Sequence, residues 1–89
     1  MTLGWHLRLA ARDRRVLAPD EATRRRVVRG ILHSTSLVEL LAFSIADTHL
    51  HAQIAACPRG DTMAAGKRLS HCLGRLLRAR FEPVYLGAI

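Results

Sequence analysis

The stretch LVELLAFSIADTHLHAQIAA, residues 37–56, constrains this chain more than any other. Its first half, 37–46, is nearly continuous apolar sequence, short for a helix and of the right length for a buried strand. Asp47-Thr48 then makes a tight turn, and HLHAQIAA follows with alternating character, which predicts a second strand paired to the first as a hairpin. Side chains alternate across a sheet, so His49, His51 and Gln53 point one way and Leu50, Ala52 and Ile54 the other. The interruption also keeps every apolar run short of the ~20 residues that cross a bilayer.

A hairpin alone is not a stable unit, and the flanking sequence supplies the rest. WHLRLAA, at 5–11, alternates with Trp5, Leu7 and Leu9 on one face and His6, Arg8 and Ala10 on the other, which predicts a first strand. Pro19-Asp20 opens a helix with Asp20 as N-cap, and Val27, Val28, Ile31 and Leu32 form its apolar stripe until HSTS, 33–36, ends it. After the CPRGD loop, Asp61 or Thr62 caps a second helix, striped by Leu69, Cys72, Leu73, Leu76 and Leu77. Pro83 stops it or follows its end, and VYLGAI reads as a last short strand. The order strand, helix, strand, strand, helix, strand predicts an α+β fold of the ferredoxin-like, split βαβ type: an antiparallel sheet with two helices. At 89 residues the whole chain, 1–89, is the length of one small domain.

Charge narrows the function classes. Fourteen Lys and Arg against seven acids give +7, the footprint of a protein that meets a polyanion, most often nucleic acid. Arg12, Arg14 and Arg15 in the first loop and Arg24, Arg25, Arg26 and Arg29 on the first helix form the densest cluster, suited to phosphate contacts that set affinity without reading sequence. His71, Arg75 and Arg78 on the second helix read as a smaller, solvated patch. With four aromatic residues, Trp5, Phe43, Phe81 and Tyr85, and no aromatic pair on adjacent central strands, the chain does not read as a base-stacking RNA-binding domain. Cys57 and Cys72 lack the CxxC spacing of a metal chaperone or redox pair. The N-terminus runs into charge too early for a secretory segment, so the expectation is a reduced, cytoplasmic protein with no membrane partner.

Two histidines at i and i+2 on one strand can chelate a single metal ion, which would then act as a Lewis acid on a phosphate oxygen; they can equally be polar residues on a solvated sheet face. A resemblance bears on the choice. LVELLAFSIADTHLHAQIA resembles the strand-turn-strand segment of the small HUH-type single-strand transposases, above all the REP-associated tyrosine transposases. His49-Leu50-His51 stands at the His-hydrophobic-His motif, and Ala46-Asp47-Thr48 at a turn often written Met-Pro-Asn. WHLRLAARDRRVLAPDEATRRRVVRGIL is similar to the family's opening, a strand with an early His, a basic loop and an amphipathic helix. RLSHCLGRLLRARF resembles its second helix, and RARFEPVYLGAI the turn into its closing strand.

The resemblance implies that His49 and His51 hold Mg²⁺ or Mn²⁺, that the substrate is single-stranded DNA near a hairpin, and that a tyrosine attacks the phosphate to form a 5′-phosphotyrosine link resolved by strand transfer. The family carries that tyrosine on a helix. Here the matching position falls near Arg80 or Phe81, and a phenyl ring has no hydroxyl to attack with. Tyr85, the chain's one tyrosine, is left as the catalytic residue, on the closing strand. Two readings stay open: a transposase-like enzyme that cleaves and joins DNA strands, or a non-enzymatic nucleic-acid-binding or dimerisation module of the same fold, in which sheet edges pair to build a homodimer.

Overall fold

The computed structural model describes residues 2–89. Six elements occur in the expected order: β1 (Gly4–Ala10), α1 (Glu21–Ser34), β2 (Leu40–Ile45), β3 (His49–Ala55), α2 (Arg59–Leu77) and β4 (Tyr85–Ala88). The strands form one antiparallel sheet in the order β2-β3-β1-β4. This is the ferredoxin-like arrangement, in which two split βαβ units interleave their strands.

Period-two alternation decides which face of the sheet is dry. Leu7 and Leu9 of β1 and Leu50 and Ile54 of β3 are fully buried, while His6, Arg8, His49, His51 and Gln53 alternate with them. Val27 and Ile31 of α1 and Leu69 and Leu73 of α2 close over the same face, also fully buried. The core is therefore a single layer of aliphatic side chains, joined by Phe81, between two helices and a sheet. At about 2 kcal/mol for each fully buried aliphatic side chain, it is the chief source of stability.

The ends of the elements carry identifiable chemistry. Asp20 caps α1, its carboxylate accepting from the Thr23 amide at 2.7 Å. Thr35 closes that helix with its hydroxyl donating to the Ile31 carbonyl at 2.8 Å. β2 is shorter than the apolar run predicts: it starts at Leu40, a register shift between Leu40 and Ala42 turns Leu41 outward, and Val38 instead packs on the core. α2 begins earlier than expected, at Arg59 behind Pro58, because Asp61 lies inside its first turn and the buried Thr62 hydroxyl pairs with the Cys57 thiol at 3.0 Å. It ends at Leu77, well before Pro83, where Arg78 takes a left-handed conformation (φ 50°) and donates its amide to the Gly74 carbonyl. Both cysteines are free thiols.

Two connections fix the ends of the sheet. In the 46–48 turn the Ala46 amide donates to the His49 carbonyl at 2.8 Å, and the Asp47 carbonyl receives the Leu17 amide at 2.8 Å, which ties the first loop to the hairpin. Residues 78–84 run along the end of β1, where Ala11 bridges Phe81 and the Arg12 amide reaches the Arg80 carbonyl at 2.9 Å.

Candidate functional site: the open face of the sheet

Both helices pack on one face of the sheet, and the strand register gathers the polar residues on the other. β1 lies between β3 and β4, so Arg8 sits opposite His51 on one side and Tyr85 on the other. His6 likewise faces Gln53 and Gly87 across the same two pairings. Beyond β3, Ser44 lies opposite His51 and Ala42 opposite Gln53. Residues distant in sequence thus share one surface.

Three of the five histidines meet there. His49 and His51 stand with ring centroids 4.8 Å apart, nearly edge to face at 84°. His6 stacks on His51 at 4.9 Å, and His6 Nε2 lies 2.7 Å from His51 Nδ1, so one ring donates a hydrogen bond to the other. Burial, then the neighbouring charges of His49, His6 and Arg8, hold the His51 pKa below the usual histidine value. Each cause disfavours an added positive charge, so His51 is neutral at physiological pH, the form in which imidazole binds a metal. His6, His51 and Gln53 line a shallow depression of about 340 Å³ with Ala42, Phe43 and Ser44.

Tyr85 completes the cluster from β4. Its ring stands edge-on to His6 at 6.3 Å, it is 57% exposed, and its hydroxyl reaches over Gly87, where a side chain would meet it at 3.1 Å. Arg80 and Phe81 lie beyond the end of α2 and not on it, and Phe81 is 8% exposed and packs in the core.

The basic residues divide. Arg24, Arg25, Arg26 and Arg29 are exposed along α1, with Arg25 4 residues from Glu21 and 3.4 Å from its carboxylate. Arg14 is exposed in a left-handed turn. Arg15 is engaged within the fold: its guanidinium pairs with Asp13 at 2.8 Å and donates to the Leu77 carbonyl at 2.6 Å. Arg12 donates through Nε to the Phe81 carbonyl at 3.1 Å. His6 is the member of the cluster that sequence patterning left out of the site. Alternation put it on the same side as Arg8, but only the β1–β3 pairing brings it to His51.

Among the described residues, no three or more His, Cys, Asp or Glu are arranged to hold a metal ion. The His6–His51 hydrogen bond engages His6 Nε2 and His51 Nδ1 and leaves the other nitrogen of each ring outside it, with His49 beside His51 and Gln53 opposite His6 in the register.

No family model matches the chain, and no curated protein matches it in sequence. Solved structures match it in fold. One is a protein from Deinococcus radiodurans R1 assigned as a transposase, with a TM-score of 0.75 at 14% identity, covering 100% of this chain and 80% of that one. The two chains share a fold. A second match, a REP-associated tyrosine transposase bound to a REP hairpin, gives a TM-score of 0.62 at 17% identity over 100% of this chain. This chain spans 58% of the length of that transposase. No helix among the described residues is long and apolar enough to cross a membrane.

Proposed function

We propose that this protein binds single-stranded or hairpin DNA on the open face of its sheet and cleaves it there through Tyr85. The observation that carries the reading is the convergence of His6, His49, His51 and Tyr85 on one face of a transposase fold. Arg8, exposed between His51 and Tyr85 in the register, supplies a fixed positive charge for the phosphate.

His49 and His51, with the Gln53 amide oxygen beside them, would hold the divalent ion. A donor set of two imidazoles without a carboxylate suits Mn²⁺ better than Mg²⁺, which is harder and demands oxygen ligands. When bound, such an ion neutralises charge on a non-bridging phosphate oxygen. Tyr85 Oη then forms a bond to phosphorus as the bond from phosphorus to the 3′ oxygen breaks. The phenolic proton passes to solvent or to His6, the imidazole nearest the Tyr85 ring, and the leaving 3′ oxygen takes up a proton. Splitting the displacement into two such exchanges conserves the bond energy for rejoining.

The test is incubation of a labelled single-stranded hairpin DNA with Mn²⁺, followed by a denaturing gel, for wild type and Tyr85→Phe. A covalent protein–DNA band present in wild type and absent in the variant is expected. Binding by both proteins with a band from neither would overturn cleavage and leave a DNA-binding module that does not cut.

A further inference from the structure

The helical side of the molecule carries a second charged surface that the histidine face does not use. Lys67, His71 and Arg75 succeed one another at intervals of four residues along α2, about 6 Å apart in rise, and all three are exposed. Across from them, Arg12 and Arg80 rise from the segments that run beside the end of β1. With Ser70 between, these residues line two adjoining clefts of about 430 and 580 Å³, floored in part by Phe81.

The groove is built from fixed backbone. Its outer wall, 78–84, is tied to α2 by the Ala79 amide donating to the Gly74 carbonyl at 3.0 Å. It is tied to β1 by the Glu82 amide donating to the Ala10 carbonyl at 2.8 Å. Arg12 spans the joint through Nε on the Phe81 carbonyl, which orients its remaining guanidinium donors. Lys67, Arg75, Arg12 and Arg80 are in no ion pair. The ion pairs among the described residues are Arg15 with Asp13 and Arg25 with Glu21, and neither lies here. Glu82, exposed, is the one acid lining either cleft.

Unpaired cations on both walls of a rigid groove, with the His71 imidazole between Lys67 and Arg75, suit a ligand with repeated negative charge. The arginine forks match phosphate oxygens in a bidentate way that a lysine cannot. The groove also has a direction. Val84 lines it, and the next residue, Tyr85, already stands on the open face beside His6, at the unpaired edge of β4.

We propose that the groove between α2 and the 78–84 segment is a track for the sugar–phosphate backbone of DNA, which Lys67, His71, Arg75, Arg12 and Arg80 hold without reading sequence and lead round the β4 edge to the histidine face. The inference rests on the DNA-binding reading above and names the surface that supplies its affinity.

The test is the salt dependence of binding to a hairpin DNA with a single-stranded flank, for wild type, Lys67→Ala, Arg75→Ala, the double variant and Arg59→Ala. Arg59 is an exposed cation at the start of α2 that lines neither cleft. Each groove substitution is expected to lower the slope of log affinity against log salt by about 0.7, the double variant by about twice that, and Arg59→Ala to leave it unchanged. Thermal melting confirms that each variant is folded. Wild-type binding with no change of slope in the groove variants, or an equal change in Arg59→Ala, overturns the track and leaves the DNA-binding reading standing. No binding by wild type overturns both. Displacement of the DNA by polyglutamate at equal charge concentration would make the groove a site for acidic protein instead.

Discussion

His51 shows how one position is set by neighbours from several strands. Period-two spacing puts it on the polar face of β3, but its hydrogen bond and stacking come from His6 on β1, and its depressed pKa from burial, then from His49 on its own strand and His6 and Arg8 on β1. The depressed pKa has a consequence for stability. Below the ordinary histidine value of 6.5, the unfolded chain binds a proton at this position more readily than the folded protein does. Stability contributed by neutral His51 is therefore present above that value and lost as the pH falls through it. Asp13 and Asp20, whose pKa values are also lowered, by the Arg15 side chain and the Thr23 amide respectively, lose their contributions only in the acid range below 3.8. The melting temperature is thus expected to fall between about pH 7.5 and about pH 5, and to fall less in His51→Asn, as thermal scans by circular dichroism would register. An identical pH dependence in the variant would place the sensitivity elsewhere.

At the scale of elements, both helices were legible from their stripes and breakers. Val27, Ile31, Leu69 and Leu73 fall on the buried sides that their 3.6-residue spacing predicts, and Asp20 caps α1 as its position before Glu21 implies. Leu32, in the predicted stripe, is 53% exposed because α1 packs along one side against α2 and leaves that edge uncovered. The strand ends were harder to read: Leu37 and Val38 open the apolar run, yet both lie before β2, Leu37 exposed and Val38 packed on the core. The close approach of α2 to the sheet was not legible at all. A β-carbon at Gly66 would stand 2.7 Å from Val84 Cγ1 and 2.9 Å from Leu7 Cδ1, so the half-buried Val84 and the fully buried Leu7 would both have to shift. Gly66→Ala is expected to destabilise the protein by about 1–3 kcal/mol, seen as a lower urea midpoint at unchanged slope.

For the whole molecule, charge is the dominant long-range property. The chain measures 38 × 21 × 19 Å and carries +7. At about 0.01 M ionic strength the Debye length is about 30 Å, so its cations repel one another across most of the fold; at about 0.15 M it is about 8 Å, and only neighbours interact. Added sodium chloride in that range is expected to raise the melting temperature while weakening any DNA complex, opposite signs from the same charge. A melting temperature that stays flat with salt would mean that the cations are compensated by contacts not visible as ion pairs.

Local patterning was enough for the order of elements, the dry face of the sheet and the His49–His51 pair, because periodicity, caps and turns act over a few residues. It was also enough for the net charge that points to a polyanion. Only the tertiary structure placed β1 between β3 and β4, and with that brought His6 to His51, Tyr85 to His6, and Arg12 and Arg80 to the face of α2. Those meetings join residues on different elements, up to 79 positions apart in the case of His6 and Tyr85. Backbone pairing across a sheet sets such distances, and no short-range pattern encodes which strand will lie beside which.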